Sequence, residues 1–149
     1  MGSAKFQSEY IEKFEGEYNI FLPDKNGNHP LLIYLHGYKS KYVSPDLIKD
    51  QIPEGLIEYS NEFNFILACP LCPFGFYWRT TFVFSFVKHL IKKYRVNESM
   101  IFLSGTSMGA YGTWSTAYEF PDSFTAVSYT HLRAHETLRY LVCRLLLEK

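Results

Sequence analysis

The run Met100-Ile101-Phe102-Leu103 passes almost without a polar break into Gly105-Thr106-Ser107-Met108-Gly109. Ala110, Tyr111, Trp114, Ala117 and Tyr118 then recur at helical spacing until Pro121 stops them. A buried strand, a GxSxG turn and a helix in that order fix the local path of the backbone. The serine is forced onto a strained corner with its hydroxyl clear of the sheet, and glycines two before and two after it leave room for the chain to fold that tightly. Gly105 and Gly109 supply those positions, and Ser107 is the candidate nucleophile. Three fixed residues in five arise by chance, so the flanking strand and helix are what separate this reading from an incidental serine in a glycine-rich turn.

The rest of the chain fits around that corner. Leu31 to Leu35, Phe63 to Cys69 and Met100 to Leu103 are nearly continuous apolar runs, and such strands belong at the centre of a parallel sheet covered on both faces. Glu17 to Leu22 alternates as a half-exposed strand does, with turn chemistry following in Pro23-Asp24-Lys25-Asn26-Gly27. Phe82, Val83, Phe86, Val87, Leu90, Ile91 and Tyr94 make the stripe of a sheet-covering helix. Lys88, Lys92 and Lys93 lie opposite that stripe, and His89, near them, reads as solvated. Residues 39–51 read as an irregular polar connection, and Pro53 to Phe63 as a short helix. Strands alternating with helices predict an α/β fold with right-handed crossovers, a mostly parallel sheet and helices on both faces.

With 47% hydrophobic residues, the 149-residue chain can bury a real core, and no repeat or Gly/Ser-rich linker divides it. Its 15 basic and 15 acidic residues leave no electrostatic footprint for nucleic acid or an anionic membrane. No apolar stretch is long enough to span a bilayer, and Met1 to Phe6 lacks the apolar run of a secretion signal, so a soluble cytoplasmic protein is expected. Cys69 and Cys72 form one CxxC with no second pair or histidine cluster to complete a zinc site. Pro73-Phe74-Gly75 follows it as a loop where a redox motif would open a helix, so it reads as two small residues at a strand end and no metal is expected.

A second element of the candidate site is His36-Gly37-Tyr38, at the carboxyl end of the Leu31 to Leu35 strand. Backbone N–H groups of Tyr38 and Met108 would form an oxyanion hole, since both lie at carboxyl ends of parallel strands, where ligands bind in such sheets. His36 could be taken for the catalytic base. Its place on the oxyanion strand assigns it instead to bracing the loop. The aromatic segment Phe74-Gly75-Phe76-Tyr77-Trp78 either lines a pocket or closes the core.

Three blocks of sequence, PLLIYLHG (30–37), FILACPLCP with Trp78 (65–73 and 78) and YRVNESMIFLSGTSMGAYGTWSTAYEFPDSF (94–124), resemble the α/β-hydrolase superfamily. Within it the likeness is to esterases of the phospholipase/carboxylesterase, dienelactone-hydrolase and polyhydroxybutyrate-depolymerase type, over roughly residues 17–127. The resemblance implies hydrolysis of a small-molecule carboxylic ester or related acyl bond through an acyl-serine intermediate, with no metal or organic cofactor. It also implies a catalytic acid and then a histidine after the nucleophile.

Only 42 residues follow Ser107, too few for the two further strand-helix units, at roughly 30 residues for each βαβ step, that would carry that acid and histidine. The tail also changes character. Before residue 128 there are nine lysines, two arginines and ten leucines; from 128 onward there are one lysine, three arginines and six leucines. Residues 128–149 resemble a translated sequencing-adapter tail, helical in pattern with Leu138, Leu141, Val142 and Leu145 on one face, and the natural sequence is expected to end near Val127. On this reading residues 1–127 are a partial α/β-hydrolase domain whose C-terminal strands, acid and base are absent. A compressed triad of Ser107, Asp122 and His131 is disfavoured because Asp122 falls about a dozen helical residues, ~18 Å, from Ser107. His135 and Glu136 belong to the suspect tail. The expectation is an inactive N-terminal fragment of a serine esterase. A non-catalytic binding or scaffold module and an acyltransferase are the alternatives, and oligomeric state is not readable.

Overall fold

The computed structural model describes residues 2–7, 15–38, 49–73 and 77–130. Six strands, β1 (Gly2–Gln7), β2 (Glu15–Phe21), β3 (His29–Leu35), β4 (Ile66–Pro70), β5 (Val96–Thr106) and β6 (Ala126–Thr130), form one sheet in the order β1-β2-β4-β3-β5-β6. The pairs β1–β2 and β2–β4 are antiparallel, and β4–β3, β3–β5 and β5–β6 are parallel. The three apolar runs thus become the adjacent inner strands β4, β3 and β5, as their unbroken hydrophobicity requires. Their register sets Leu35 beside Gly105, which brings the end of β3 level with the start of the GxSxG turn.

Among the described residues three α-helices cover the two faces: α1 (Leu56–Glu62), α2 (Thr80–Lys93) and α3 (Met108–Glu119). On one face Leu31, Ile33, Leu35, Ile66, Ala68, Ile101 and Leu103 pack against Phe82, Val83, Phe86, Val87 and Leu90 of α2. Burying those five side chains is worth on the order of 10 kcal/mol before chain entropy is counted. That burial is what holds α2, because its N-cap, Arg79, makes no side-chain capping bond. Phe84 of α2 and Phe120 at the end of α3 stack at 4.2 Å and tie the two helices together. On the other face Tyr34, Leu67 and Cys69 lie under Ile52, Leu56 and Ile57. The expectation of helices on both faces therefore holds. Among the described residues no helix is long and apolar enough to cross a membrane.

Local expectations differ at four places. Strand β4 starts at Ile66, not Phe63, because α1 closes with the Phe63 N–H on the Tyr59 carbonyl and Asn64 turns the chain at φ 54°. Strand β2 is not half-exposed: Tyr18, Asn19 and Ile20 are all buried, Tyr18 and Ile20 in the core beneath α2, and β2 lies between β1 and β4. Strand β5 starts at Val96, four residues ahead of Met100. Between the pairs His29–Val96 and Leu31–Ile101 its register slips, and Asn97 folds back to accept from the Ser99 N–H and hydroxyl. His89 is half-buried, with Nε2 at 3.2 Å from the Tyr18 hydroxyl. Residues 39–48, 74–76 and 131–149 lie outside the described residues.

Candidate active site

The chain from β5 to α3 turns through Ser107, which has φ 55° and ψ −115°. That backbone conformation is open to glycine and strained for any residue with a Cβ, at a cost of order 1–3 kcal/mol. The corner persists because its neighbours leave it no other path. A Cβ on Gly105 would collide with the carbonyl of Gly109 and lie 2.8 Å from Thr113 Oγ1. A Cβ on Gly109 would collide with the Leu35 carbonyl oxygen and lie 2.8 Å from that of His36. The first turn of α3 therefore rests directly on the backbone of β3 and β5, and only glycine permits that approach.

Gly37 meets the corner from the other side. A Cβ built on it would sit 3.5 Å from Ser107 Cβ and 3.3 Å from the Thr106 carbonyl oxygen. Its φ is not positive, so what the glycine supplies here is close approach to the corner. Tyr38 is the next residue, and Met108 opens α3, so the backbone at 37–38 and the N-terminus of that helix flank the exposed Ser107 side chain. The first N–H groups of a helix have no partners within it and carry the positive end of its dipole, which suits a site where negative charge develops. Beneath, the Tyr34 hydroxyl donates to Thr106 Oγ1 at 3.0 Å and ties β3 to β5 one residue before the corner.

His36 is 1% exposed and both its ring nitrogens are engaged. Nδ1 donates to the Gly37 carbonyl at 2.8 Å, and Nε2 accepts the Cys72 N–H at 3.0 Å. These partners fix the neutral tautomer protonated at Nδ1. Burial holds its pKa below the ordinary histidine value, partly offset by the bond to Gly37. The His36 carbonyl in turn accepts from Trp78 Nε1 at 2.9 Å, and the two rings meet edge to face at 5.0 Å. Gly112 of α3 leaves the space that Trp78 fills, since a Cβ there would lie 2.9 Å from the indole Cγ. With no nitrogen to offer a substrate proton, His36 joins the segments after β3 and β4.

The other titratable candidates lie elsewhere. His29 opens β3, a seven-residue strand of roughly 20 Å, and its ring nitrogens meet the carbonyls of Asn64 and Lys25. His89 pairs with Tyr18 on β2, three strand spacings or roughly 14 Å across the sheet from β5. Asp122 is exposed in the short turn Pro121–Ser123, beyond the far end of α3. His131, His135 and Glu136 lie outside the described residues. Cys69 and Cys72 are buried in the two different core clusters, and burial pushes the Cys69 thiol well up. Among the described residues no group of three or more His, Cys, Asp or Glu side chains is gathered to hold a metal.

The aromatic segment before α2 divides. Trp78 belongs to the core, whereas Tyr77 is 67% exposed and stacks on the 46% exposed ring of Tyr38, with centroids 6.4 Å apart and planes 29° from parallel. Sequence reasoning did not reach this pair or the bond from Cys72 to His36. The two partners of each contact are more than 30 residues apart and no periodicity links them.

No protein-family profile and no curated protein matches the chain's sequence. Solved structures do match its fold. A thermostable esterase superposes with a TM-score of 0.68 at 25% identity, over 84% of this chain and 39% of the esterase. FphF, a fluorophosphonate-binding serine hydrolase of Staphylococcus aureus, gives a TM-score of 0.71 at 15% identity, over 98% of this chain and 73% of its own. The S-formylglutathione hydrolase FrmB of the same organism gives 0.69 at 16% identity, over 97% and 65%. These are α/β-hydrolase-fold enzymes, and the chain has that fold while spanning well under half of the esterase's length.

Proposed function

We propose that the chain is part of a serine hydrolase that cleaves a carboxylic ester or related acyl bond of a small molecule through an acyl-serine intermediate. Ser107 is the nucleophile, and the Tyr38 and Met108 backbone N–H groups stabilise the oxyanion. The observation that carries this reading is the strained Ser107 backbone, held between Gly37 and the N-terminus of α3. Strain of that kind persists only where the surroundings over-determine it, and it concentrates where a side chain must be presented. The esterases and serine hydrolases among the structural neighbours support the same reaction class.

We place the acid and the base outside the described residues. His36 is engaged at both nitrogens, and His29 and His89 are held at other parts of the sheet. A serine without a base is a weak nucleophile at neutral pH. The expected result is therefore slow hydrolysis of p-nitrophenyl acetate and weak fluorophosphonate labelling, both lost in Ser107→Ala. Rapid turnover dependent on Ser107 would overturn the assignment of the base. Labelling that survives Ser107→Ala would overturn the nucleophile.

A further inference from the structure

Two tyrosine residues, Tyr38 and Tyr77, are exposed at the carboxyl edge of the sheet and stack on one another. Tyr38 follows Gly37, whose backbone abuts Ser107, so the Tyr38 Cα is one peptide unit, about 3.8 Å, from the Gly37 Cα. A tyrosine ring reaches several ångströms beyond its own Cα, and the Tyr38 backbone stands on the same sheet edge as Ser107, a separation that a substrate bound at the serine can span. Tyr77 arrives from the segment after β4, on the same edge, and stacks on Tyr38. Just inside that pair, Trp78 donates to the His36 carbonyl, so the Tyr77 backbone is anchored by the residue beside it.

We infer that the Tyr38–Tyr77 pair is a subsite for a planar aromatic group, making the preferred substrate an aryl ester with its ring against these two side chains. The inference rests on the reading of Ser107 as the point of attack and adds the class of group delivered to it. An offset-stacked or edge-on aromatic contact exceeds an aliphatic one of equal area, by about 2- to 12-fold in affinity for each ring pair. A saturated ring of the same size meets the same surface without that gain. The pair is open to solvent, so a ligand ring gains contact there without displacing the core.

The test uses the full chain carrying Ser107→Ala, so that binding is read without chemistry. Affinities are measured by ligand-observed NMR for two matched pairs: phenyl acetate against cyclohexyl acetate, and methyl benzoate against methyl cyclohexanecarboxylate. In at least one pair the aryl ester binds about 2- to 12-fold more tightly. The pair that discriminates identifies whether the alcohol or the acyl side carries the ring. Adding Tyr77→Leu abolishes the preference, and Tyr77→Phe retains it. Because the Tyr77 side chain is mostly exposed, neither change threatens the fold, which a thermal melt checks. Equal affinities in both pairs, or a preference that survives Tyr77→Leu, would overturn the inference. Fluorophosphonate labelling of the parent chain reports on Ser107 separately, so failure of the nucleophile and failure of the subsite give different results.

Discussion

Replacing Ser107 with glycine should stabilise this protein, although it removes the residue on which the proposed chemistry depends. The backbone at φ 55° and ψ −115° costs a residue with a Cβ of order 1–3 kcal/mol and costs glycine nothing of that kind. Against the gain stands the greater freedom that glycine confers on the unfolded chain, about 0.5–1 kcal/mol. The control is Ser107→Ala, which keeps the Cβ and hence the strain. Since the Ser107 side chain is exposed, alanine should fall within about 0.5 kcal/mol of the parent. Glycine should then exceed alanine by up to about 2.5 kcal/mol, with a midpoint of about 1 kcal/mol. For a chain of this size that midpoint corresponds to a rise in Tm of about 2–4 °C. Calorimetry or circular dichroism on the three proteins, at one pH and concentration, reads the difference. If the glycine variant melts clearly below the alanine variant, the strain at the corner is smaller than the entropy glycine adds to the unfolded chain, and the argument from strain to the nucleophile fails.

Two further outcomes follow from the same neighbourhood. Gly109→Ala should cost more than about 3 kcal/mol in urea denaturation, because the added methyl meets the Leu35 and His36 carbonyls and α3 would have to lift off β3; a loss under about 1 kcal/mol would contradict that packing. Burial lowers the His36 pKa in the folded state, so on acidification through the ordinary histidine value of about 6.5 the unfolded chain takes up the proton first and stability falls. His36→Ala should lessen that acid-side loss while costing about 2–4 kcal/mol at pH 8 through the unpaired Cys72 N–H and Gly37 carbonyl. An unchanged slope of stability against pH in the variant would show that His36 is not the group responsible.

The sequence was legible where one-dimensional pattern and three-dimensional environment coincide. Unbroken apolar runs place β3, β4 and β5 inside the sheet, and the spacing of Phe82, Phe86 and Leu90 places α2 over it. The GxSxG corner is legible because its fixed residues fall within five positions, although what Gly109 makes room for, the Leu35 and His36 carbonyls, lies more than 70 residues away. Burial of β2 on both faces was not legible, because alternation says which side of a strand is greasier and not whether the more polar side is covered as well. The Asn64 turn was hidden by the apolar residues on both sides of it. At the candidate site the oxyanion loop could be located from Gly37, but its bonds could not. His36 meets Cys72 36 positions away, and Tyr38 meets Tyr77 39 positions away.

The His36 ring gives the crest of the sheet a particular mechanical character. One imidazole grips the Gly37 carbonyl with one nitrogen and the Cys72 amide with the other, and its own carbonyl holds Trp78. Gly37 after β3 and Cys72 and Trp78 after β4 are therefore tied together through one residue. Anyone who diversifies the 71–78 segment to retune ligand preference will also shift the backbone beside Ser107. A graft that carries 36–38 and 71–78 together from one donor should preserve that alignment, whereas exchanging either segment alone should break it.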